Sequence, residues 1–339
     1  MALLEVKNLK VHYQTKHGDN QAVDGVSFKL EQGKSIGIVG ESGCGKSTLV
    51  KGIIRVMSQN AFIKDGQILF DGKDLAKLPE KEFRQVRWKD LALIPQAAMD
   101  SLNPVYPVLD AFVEVLTLKG NMTKKQAVAR AHELFQMVGL DTKRLSYYPH
   151  EFSGGMKQRA VIALALALDP KLVIADEPVT ALDVIVQSQV LRELTRLKKD
   201  LGLTIILITH DISVVAQSCE SIAVMYAGKI VEKGDAKDVL KNPYHPYTMG
   251  LANAFPNLKE PDKPLISIEG SPPVLVDPPK GCRFYERCPY KIEQCRNEEP
   301  ELVEVKKEHF SACHRLADID ELREKAKEVE TWQNVVSLK

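Results

Sequence analysis

Three short stretches of this chain carry residue types suited to a nucleoside triphosphate. Gly40 to Ser47 reads GESGCGKS, the pattern glycine, four residues, glycine, lysine, serine. Its glycines let the backbone curl so that successive N–H groups point at one anion. A helix starting at the lysine adds the partial positive charge of its N-terminus. Gly40, Ser42, Gly43, Cys44, Gly45, Lys46, Ser47 and Thr48 are therefore candidate phosphate contacts, with Lys46 reaching the outer phosphates and the Ser47 hydroxyl available to Mg²⁺. Leu172 to Glu177 reads LVIADE, an apolar run ending in two carboxylates. Asp176 is placed to hold Mg²⁺ and Glu177 to polarise an attacking water. Phe152 to Met156 reads FSGGM, a serine and two glycines at a helix start, which makes a further anion-binding N-terminus.

The elements that must position these groups follow from periodicity. Residues 3–11 and 22–30 alternate as strands around a polar loop at His17 to Asn20, and Ser35 to Val39 is a short apolar strand leading into the glycine-rich loop. Strands are expected at 66–70 and 91–95, a helical period from Val105 to Gly139, and a buried helix from Ser153 that is apolar nearly all round by Leu168. Apolar runs at 172–175, 204–208 and 222–225 alternate with helical patterns at 184–200 and 211–218, which implies a mostly parallel sheet. Such sheets bind ligands at strand C-termini, where both the phosphate loop and the carboxylate pair lie.

Composition narrows the classes. The chain has 339 residues, 46 basic and 45 acidic, so nothing in its charge favours nucleic acid or a polybasic membrane anchor. The first residues lack the charged head and apolar run of a signal peptide. The most apolar helical stretch, Ala160 to Leu168, is far below the roughly 20 residues needed to span a bilayer. The expectation is a soluble or peripheral protein whose membrane role, if any, comes through a partner.

In combination these motifs resemble the ATP-binding cassette (ABC) ATPases. GESGCGKS is similar to that family's Walker A, LVIADE to its Walker B and FSGGM to its signature, although Phe152 and Met156 replace the usual leucine and glutamine. Thr180 to Asp183 resembles the D-loop, Gln96 the Q-loop glutamine, His210 the switch histidine, and Tyr13 the aromatic that stacks on adenine. The resemblance implies an α/β fold with a RecA-like parallel sheet core, an antiparallel β subdomain and a helical signature subdomain over about 97–165, the whole occupying residues 1–255. It implies ATP and Mg²⁺, the latter on Ser47, Gln96 and Asp176. Glu177 is then the general base, with His210, Lys46 and Gln96 assisting at the γ-phosphate. It also implies a dimer, because Ser153 and Gly155 of one ATPase subunit serve the nucleotide of another.

Only 55 residues separate Gln96 from Phe152, which leaves no room for the long coiled coil of repair and chromosome-structure ATPases. The single phosphate loop disfavours two-cassette translation factors. Asn242 to Thr248 (NPYHPYT), the proline-rich 256–281 segment and residues 95–104 resemble ATPase subunits of dipeptide and oligopeptide importers, with related nickel and oligosaccharide importers as alternatives. This implies a second, different ATPase subunit, two transmembrane permease subunits, an extracellular peptide-binding protein and a place on the cytoplasmic face of the cell membrane.

A small C-terminal Cys-rich extension is expected over 256–339, with a polar helical tail from about Ile319. Its cysteines, Cys282, Cys288, Cys295 and Cys313, have five, six and seventeen residues between successive members. Structural zinc sites usually contain a pair separated by two to four residues. The wider gaps and the Cys288-Pro289 step suit a [4Fe–4S] cluster, with Zn²⁺, aided by His309 or His314, as the alternative. Cys219 is read as a core residue.

Overall fold

The structure, a computed structural model, describes residues 2–96, 101–180, 182–254 and 266–333. The chain opens with two long strands, β1 (Ala2–Thr15) and β2 (Gly18–Glu31), and a fully buried short one, β3 (Ser35–Val39). Helix α1 (Lys46–Ile53) follows the phosphate loop, then β4 (Ala61–Phe70), β5 (Lys73–Asp74), α2 (Glu80–Val86) and β6 (Leu91–Ile94). Three helices, α3 (Val108–Leu118), α4 (Lys124–Met137) and α5 (Gly154–Ala165), lead to β7 (Leu172–Asp176). Next come α6 (Val184–Leu201), β8 (Thr204–Thr209), α7 (Ile212–Ser218), β9 (Ser221–Tyr226), β10 (Lys229–Asp235), α8 (Ala236–Lys241) and α9 (Pro246–Asn253). The C-terminal part holds α10 (Glu293–Asn297), β11 (Val303–Lys306), β12 (His309–Ser311) and α11 (Ile319–Lys325).

These elements pack as two compact units, residues 1–4, 30–35 and 70–208 in the first and 5–29, 36–69 and 209–339 in the second. In the first unit β6, β7 and β8 run parallel, in register Ala92 with Val173 and Asp176 with Ile208. Their residues are almost all buried, as continuous apolar strands covered on both faces must be. The helical period expected across 105–139 resolves into two helices. The chain breaks at Gly120 and Asn121, the latter at φ 53°, and Thr123 and Gln126 restart it with reciprocal cap hydrogen bonds. Phe112, Phe135 and Phe152 stack edge to face beneath α5, which ends at Ala165, before the expected Leu168.

In the second unit β1 lies between β2 and β4. The polar loop expected at His17 to Asn20 is instead mostly strand. A tight turn at Lys16 and His17 is closed by the Thr15 hydroxyl, which donates to the Gly18 carbonyl at 2.6 Å. Ladder hydrogen bonds need no apolar side chains, so pairing runs on through residues whose side chains give no sequence signal. Beside this sheet, β3 and β9 run parallel and β9, β10, β12 and β11 follow antiparallel.

The last two strands come from the Cys-rich segment. Ser311 pairs with Glu232 and Phe310 with Lys233, so this segment continues a sheet of the second unit. Residues 266–281 carry no regular secondary structure and run along the same unit, where the Leu275 carbonyl accepts the Gln21 N–H at 2.9 Å. The expected boundary at 255–256 lies outside the described residues, as do residues 97–100 and Ala181 of the D-loop. Cys219 is half-buried against the core of the second unit. Among the described residues no helix is long and apolar enough to cross a membrane.

Candidate functional site

The second unit holds the phosphate loop. It leaves buried β3, turns through Gly40 to Gly45 and enters α1 at Lys46. Gly45 sits at φ 105°, and a Cβ there would lie 2.2 Å from the Ala22 carbonyl oxygen, so only glycine fits this turn. Lys46 is buried, and its ammonium donates to the carbonyls of Gly40 (2.7 Å) and Glu41 (2.9 Å). The cation is thereby held inside the curve of the loop. Cys44 is fully buried, and burial pushes its thiol up, which suits a packing residue and not a nucleophile. Half-buried Tyr13 shares a 3.1 Å hydrogen bond between its hydroxyl and that of Thr48. His210 emerges exposed from the end of β8.

The first unit holds the carboxylates and the signature. Asp176 ends β7 and is buried, while Glu177 follows at φ 47°. A non-glycine residue in the left-handed region is uncommon and is kept there by its surroundings. Here the Glu177 N–H donates to the Ile208 carbonyl at 2.9 Å. The Glu177 Oε2 accepts from the Gln96 Nε2 and from the Thr180 hydroxyl, each at 3.0 Å. Both backbone and carboxylate are therefore oriented by the protein's own groups. The Gln96 amide nitrogen donates to Glu177, so the amide oxygen is directed away from that carboxylate. Ser153 caps α5, accepting the Met156 N–H at 3.4 Å, and is exposed. Gly155 permits a close approach of α6, since a Cβ there would lie 2.6 Å from the Val186 Cγ1. Phe152 packs against Phe135, so the departure from leucine at this position serves as an apolar anchor for the helix start.

Thus Lys46 meets its own loop, Tyr13 meets Thr48, and Gln96 meets Glu177, all pairs of expected site residues. Three contacts went unanticipated. Glu41 of the loop is bound through its side chain by Arg287 and through its N–H by the Tyr247 hydroxyl (2.9 Å), and Thr180 holds Glu177. Arg287 lies 246 residues from Glu41, and no sequence pattern marks it as a partner.

The four late cysteines, all free thiols, line one small cavity together with Phe284, Tyr290, Pro300 and His314. Burial, reinforced by the neighbouring sulfurs, pushes Cys282 up to about 12 and Cys313 up to about 11, and raises Cys288 well above the usual thiol range. Among the described residues no group of three or more His, Cys, Asp or Glu is gathered closely enough to hold a metal ion. His309 does not join the cysteines. It bonds Glu232 through Nε2 (2.8 Å) and Asp238 through Nδ1 (3.2 Å).

A glycine-rich loop between a buried strand and a helix, and an acid pair ending a parallel strand, define an ATP-hydrolysing ATP-binding cassette. Comparison with known proteins agrees. The ABC transporter family matches residues 23–180, and the oligopeptide/dipeptide transporter C-terminal region matches residues 231–295. A dimeric ATP-binding cassette in a post-hydrolysis state, bound to ADP and Pi, has a similar fold, with TM-score 0.62 and 27% identity. That likeness covers 69% of this chain and 98% of that one. The oligopeptide transport ATP-binding protein OppD of Bacillus subtilis is 45% identical over 91% of this chain and 87% of its own length. OppD of Escherichia coli is 44% identical over 93% of each. A probable peptide ABC transporter ATP-binding protein of Sinorhizobium fredii is 42% identical over 94% of this chain and 96% of its own. The chain belongs to the ABC transporter ATP-binding proteins, within the oligopeptide and dipeptide transporter group.

Proposed function

We propose that this chain is the subunit that hydrolyses ATP to drive import of dipeptides or oligopeptides through separate transmembrane permease subunits. The observation that carries this reading is the two-part match. A cassette region and the C-terminal region particular to oligopeptide/dipeptide transporters occur in order in one chain. Residues 1–255 form the cassette, with its helical subdomain over about 97–165, and 256–339 form the Cys-rich extension. The partners are a second, different ATPase subunit, the permeases and, outside the membrane, a peptide-binding protein. The chain sits peripherally on the cytoplasmic face.

In this reading Glu177 takes the proton of the attacking water as the bond to the γ-phosphorus forms, and the β–γ bridging bond breaks toward ADP. Gln96 and Thr180 hold the carboxylate while it acts. Lys46 and the loop N–H groups from Gly40 to Ser47 meet the charge on the phosphates, with Ser42, Gly43, Cys44, Gly45 and Thr48 contributing contacts. Tyr13 stacks on the adenine, and His210 contacts the γ-phosphate. Ser47, Gln96 and Asp176 would hold Mg²⁺, which neutralises phosphate charge. Ser153 and Gly155 face the nucleotide of the partner ATPase. Reconstitution with the cognate permeases and binding protein tests the cargo. ATP-dependent uptake of labelled peptide is expected, and uptake of nickel or an oligosaccharide without peptide would overturn the assignment.

The cysteine cavity supports a [4Fe–4S] cluster held by Cys282, Cys288, Cys295 and Cys313. What supports this reading is that all four cysteines line one cavity, which matches the cluster's four-thiolate donor set, with Zn²⁺ as the alternative because His314 lines the same cavity. When bound, the cluster supplies a four-point cross-link between distant parts of the segment, and its iron favours the thiolate forms that burial alone opposes. Anaerobically purified protein is expected to be brown and to contain iron and sulfide, and Cys288→Ser to lose the colour. Colourless protein with one zinc per chain would refute the cluster.

A further inference from the structure

Glu41 places a carboxylate in the second position of a loop whose work is to hold anions. An uncompensated negative charge there opposes phosphate binding by simple Coulomb repulsion. The structure shows what compensates it. Arg287 is only 4% exposed, and its fork grips the Glu41 carboxylate through both oxygens, Nη1 to Oε2 at 2.8 Å and Nη2 to Oε1 at 3.0 Å. Its remaining N–H groups donate to the carbonyls of Glu269 (2.9 Å) and Ile268 (3.0 Å) and to the Tyr226 hydroxyl (3.3 Å). All five donors of the guanidinium are thereby used, an arrangement lysine cannot reproduce.

The same loop residue is fixed at two further points. Its N–H donates to the Tyr247 hydroxyl at 2.9 Å, and its carbonyl accepts from Lys46 at 2.9 Å. Tyr247 is fully buried, and burial raises its hydroxyl far above the usual tyrosine range, so it stays neutral and available as an acceptor. Tyr226, Tyr247 and Phe284 pack ring against ring at 4.7 to 5.4 Å, joining β9, α9 and the cysteine-bearing segment behind the loop.

We propose that Arg287 is a positioning residue for ATP binding: it neutralises Glu41 and, with Tyr247, fixes the start of the phosphate loop, so that the C-terminal segment is a working part of the nucleotide site. The inference rests on the assignment of Gly40 to Ser47 to ATP, and goes beyond it by making affinity depend on a residue of the cysteine-bearing segment.

The test is steady-state ATP hydrolysis by the full chain, assembled with its transporter, with melting temperature followed in parallel. Arg287→Gln is expected to raise KM for ATP about tenfold, equal to about 1.4 kcal/mol, with kcat within about twofold. Charge compensation makes a sign-specific prediction. Adding Glu41→Gln to Arg287→Gln removes the exposed charge and should return KM most of the way, whereas a merely structural Arg287 would make the double variant no better than the single. Tyr247→Phe, which keeps the ring and removes only the hydroxyl, should raise KM several-fold and serves if Arg287→Gln fails to fold. Wild-type KM in both Arg287→Gln and Tyr247→Phe, or no recovery in the double variant, overturns the proposal. Lys46→Ala is the control for the underlying assignment. If it binds ATP normally the loop assignment fails, and if it alone loses ATP only the role of Arg287 fails.

Discussion

Glu177→Gln is expected to bind ATP with nearly unchanged affinity and to hydrolyse it at least about a hundredfold more slowly, the range seen when a general base is removed. The substitution keeps side-chain length and shape. It also keeps the backbone turn at φ 47°, since the bond from residue 177 N–H to the Ile208 carbonyl involves main chain only. A glutamine oxygen at this position can still accept from Gln96 and Thr180, which now hold Oε2 at 3.0 Å each. Positioning therefore survives and only basicity is lost. Equilibrium binding of labelled ATP and single-turnover hydrolysis on the same preparation separate the two. Hydrolysis within about threefold of the parent would remove Glu177 from the proposed mechanism and leave its contacts with Gln96 and Thr180 as a structural turn.

This contrast between local and distant determinants also marks how far the sequence could be read. The phosphate loop, the acid pair and the serine at the start of α5 are each contained within eight residues, and their chemistry follows from types and spacing alone. The strands β3, β7 and β8 were legible for the same reason, because fully buried parallel strands are continuous apolar runs. Less of the second unit was visible. The hairpin through Gln14 to Asn20 is polar, and β11 is mostly exposed, so neither shows the alternation that marks a strand. Strand β12 has only three residues and is recognisable through its pairing with β10. Arg287 pairs with Glu41, and His309 with Glu232, and no sequence pattern marks either pairing. Burial of Arg287, Glu232 and His309 requires such partners, and pairing across 246 or 77 residues is a property of the fold.

The pair of His309 and Glu232 carries the second large expectation, a loss of about 3–5 kcal/mol of stability in Glu232→Leu. Glu232 is fully buried in β10 and accepts three hydrogen bonds, from the N–H groups of Tyr244 (2.6 Å) and His245 (2.9 Å) and from His309 Nε2 (2.8 Å). It thus ties the lead-in to α9 and strand β12 to one carboxylate. His309 is itself buried, which alone would lower its pKa. The bonds to Glu232 and Asp238 outweigh that and raise it above the usual histidine value. Asp238 is in turn held down to about 2, chiefly by Lys306. The sign follows from linkage. A histidine whose folded pKa is raised adds stability that is complete below its unfolded value and disappears as pH rises through the folded one. Asp238 contributes above the ordinary carboxylate range and fails only as pH falls toward 2. The anchorage of β12 should therefore weaken as pH rises above the ordinary histidine range, and that dependence should be smaller in Glu232→Leu, where only the bond to Asp238 remains to raise the pKa. Adding His309→Leu removes the imidazole whose Nε2 has lost its partner but leaves the N–H groups of Tyr244 and His245 without their acceptor, so the double variant should recover only part of the loss. Denaturant titrations of the parent, Glu232→Leu and the double variant at pH 6 and pH 9 measure each quantity. Full recovery in the double variant would mean that the backbone donors find other partners, and an unchanged pH slope in Glu232→Leu would mean that His309 does not titrate against Glu232.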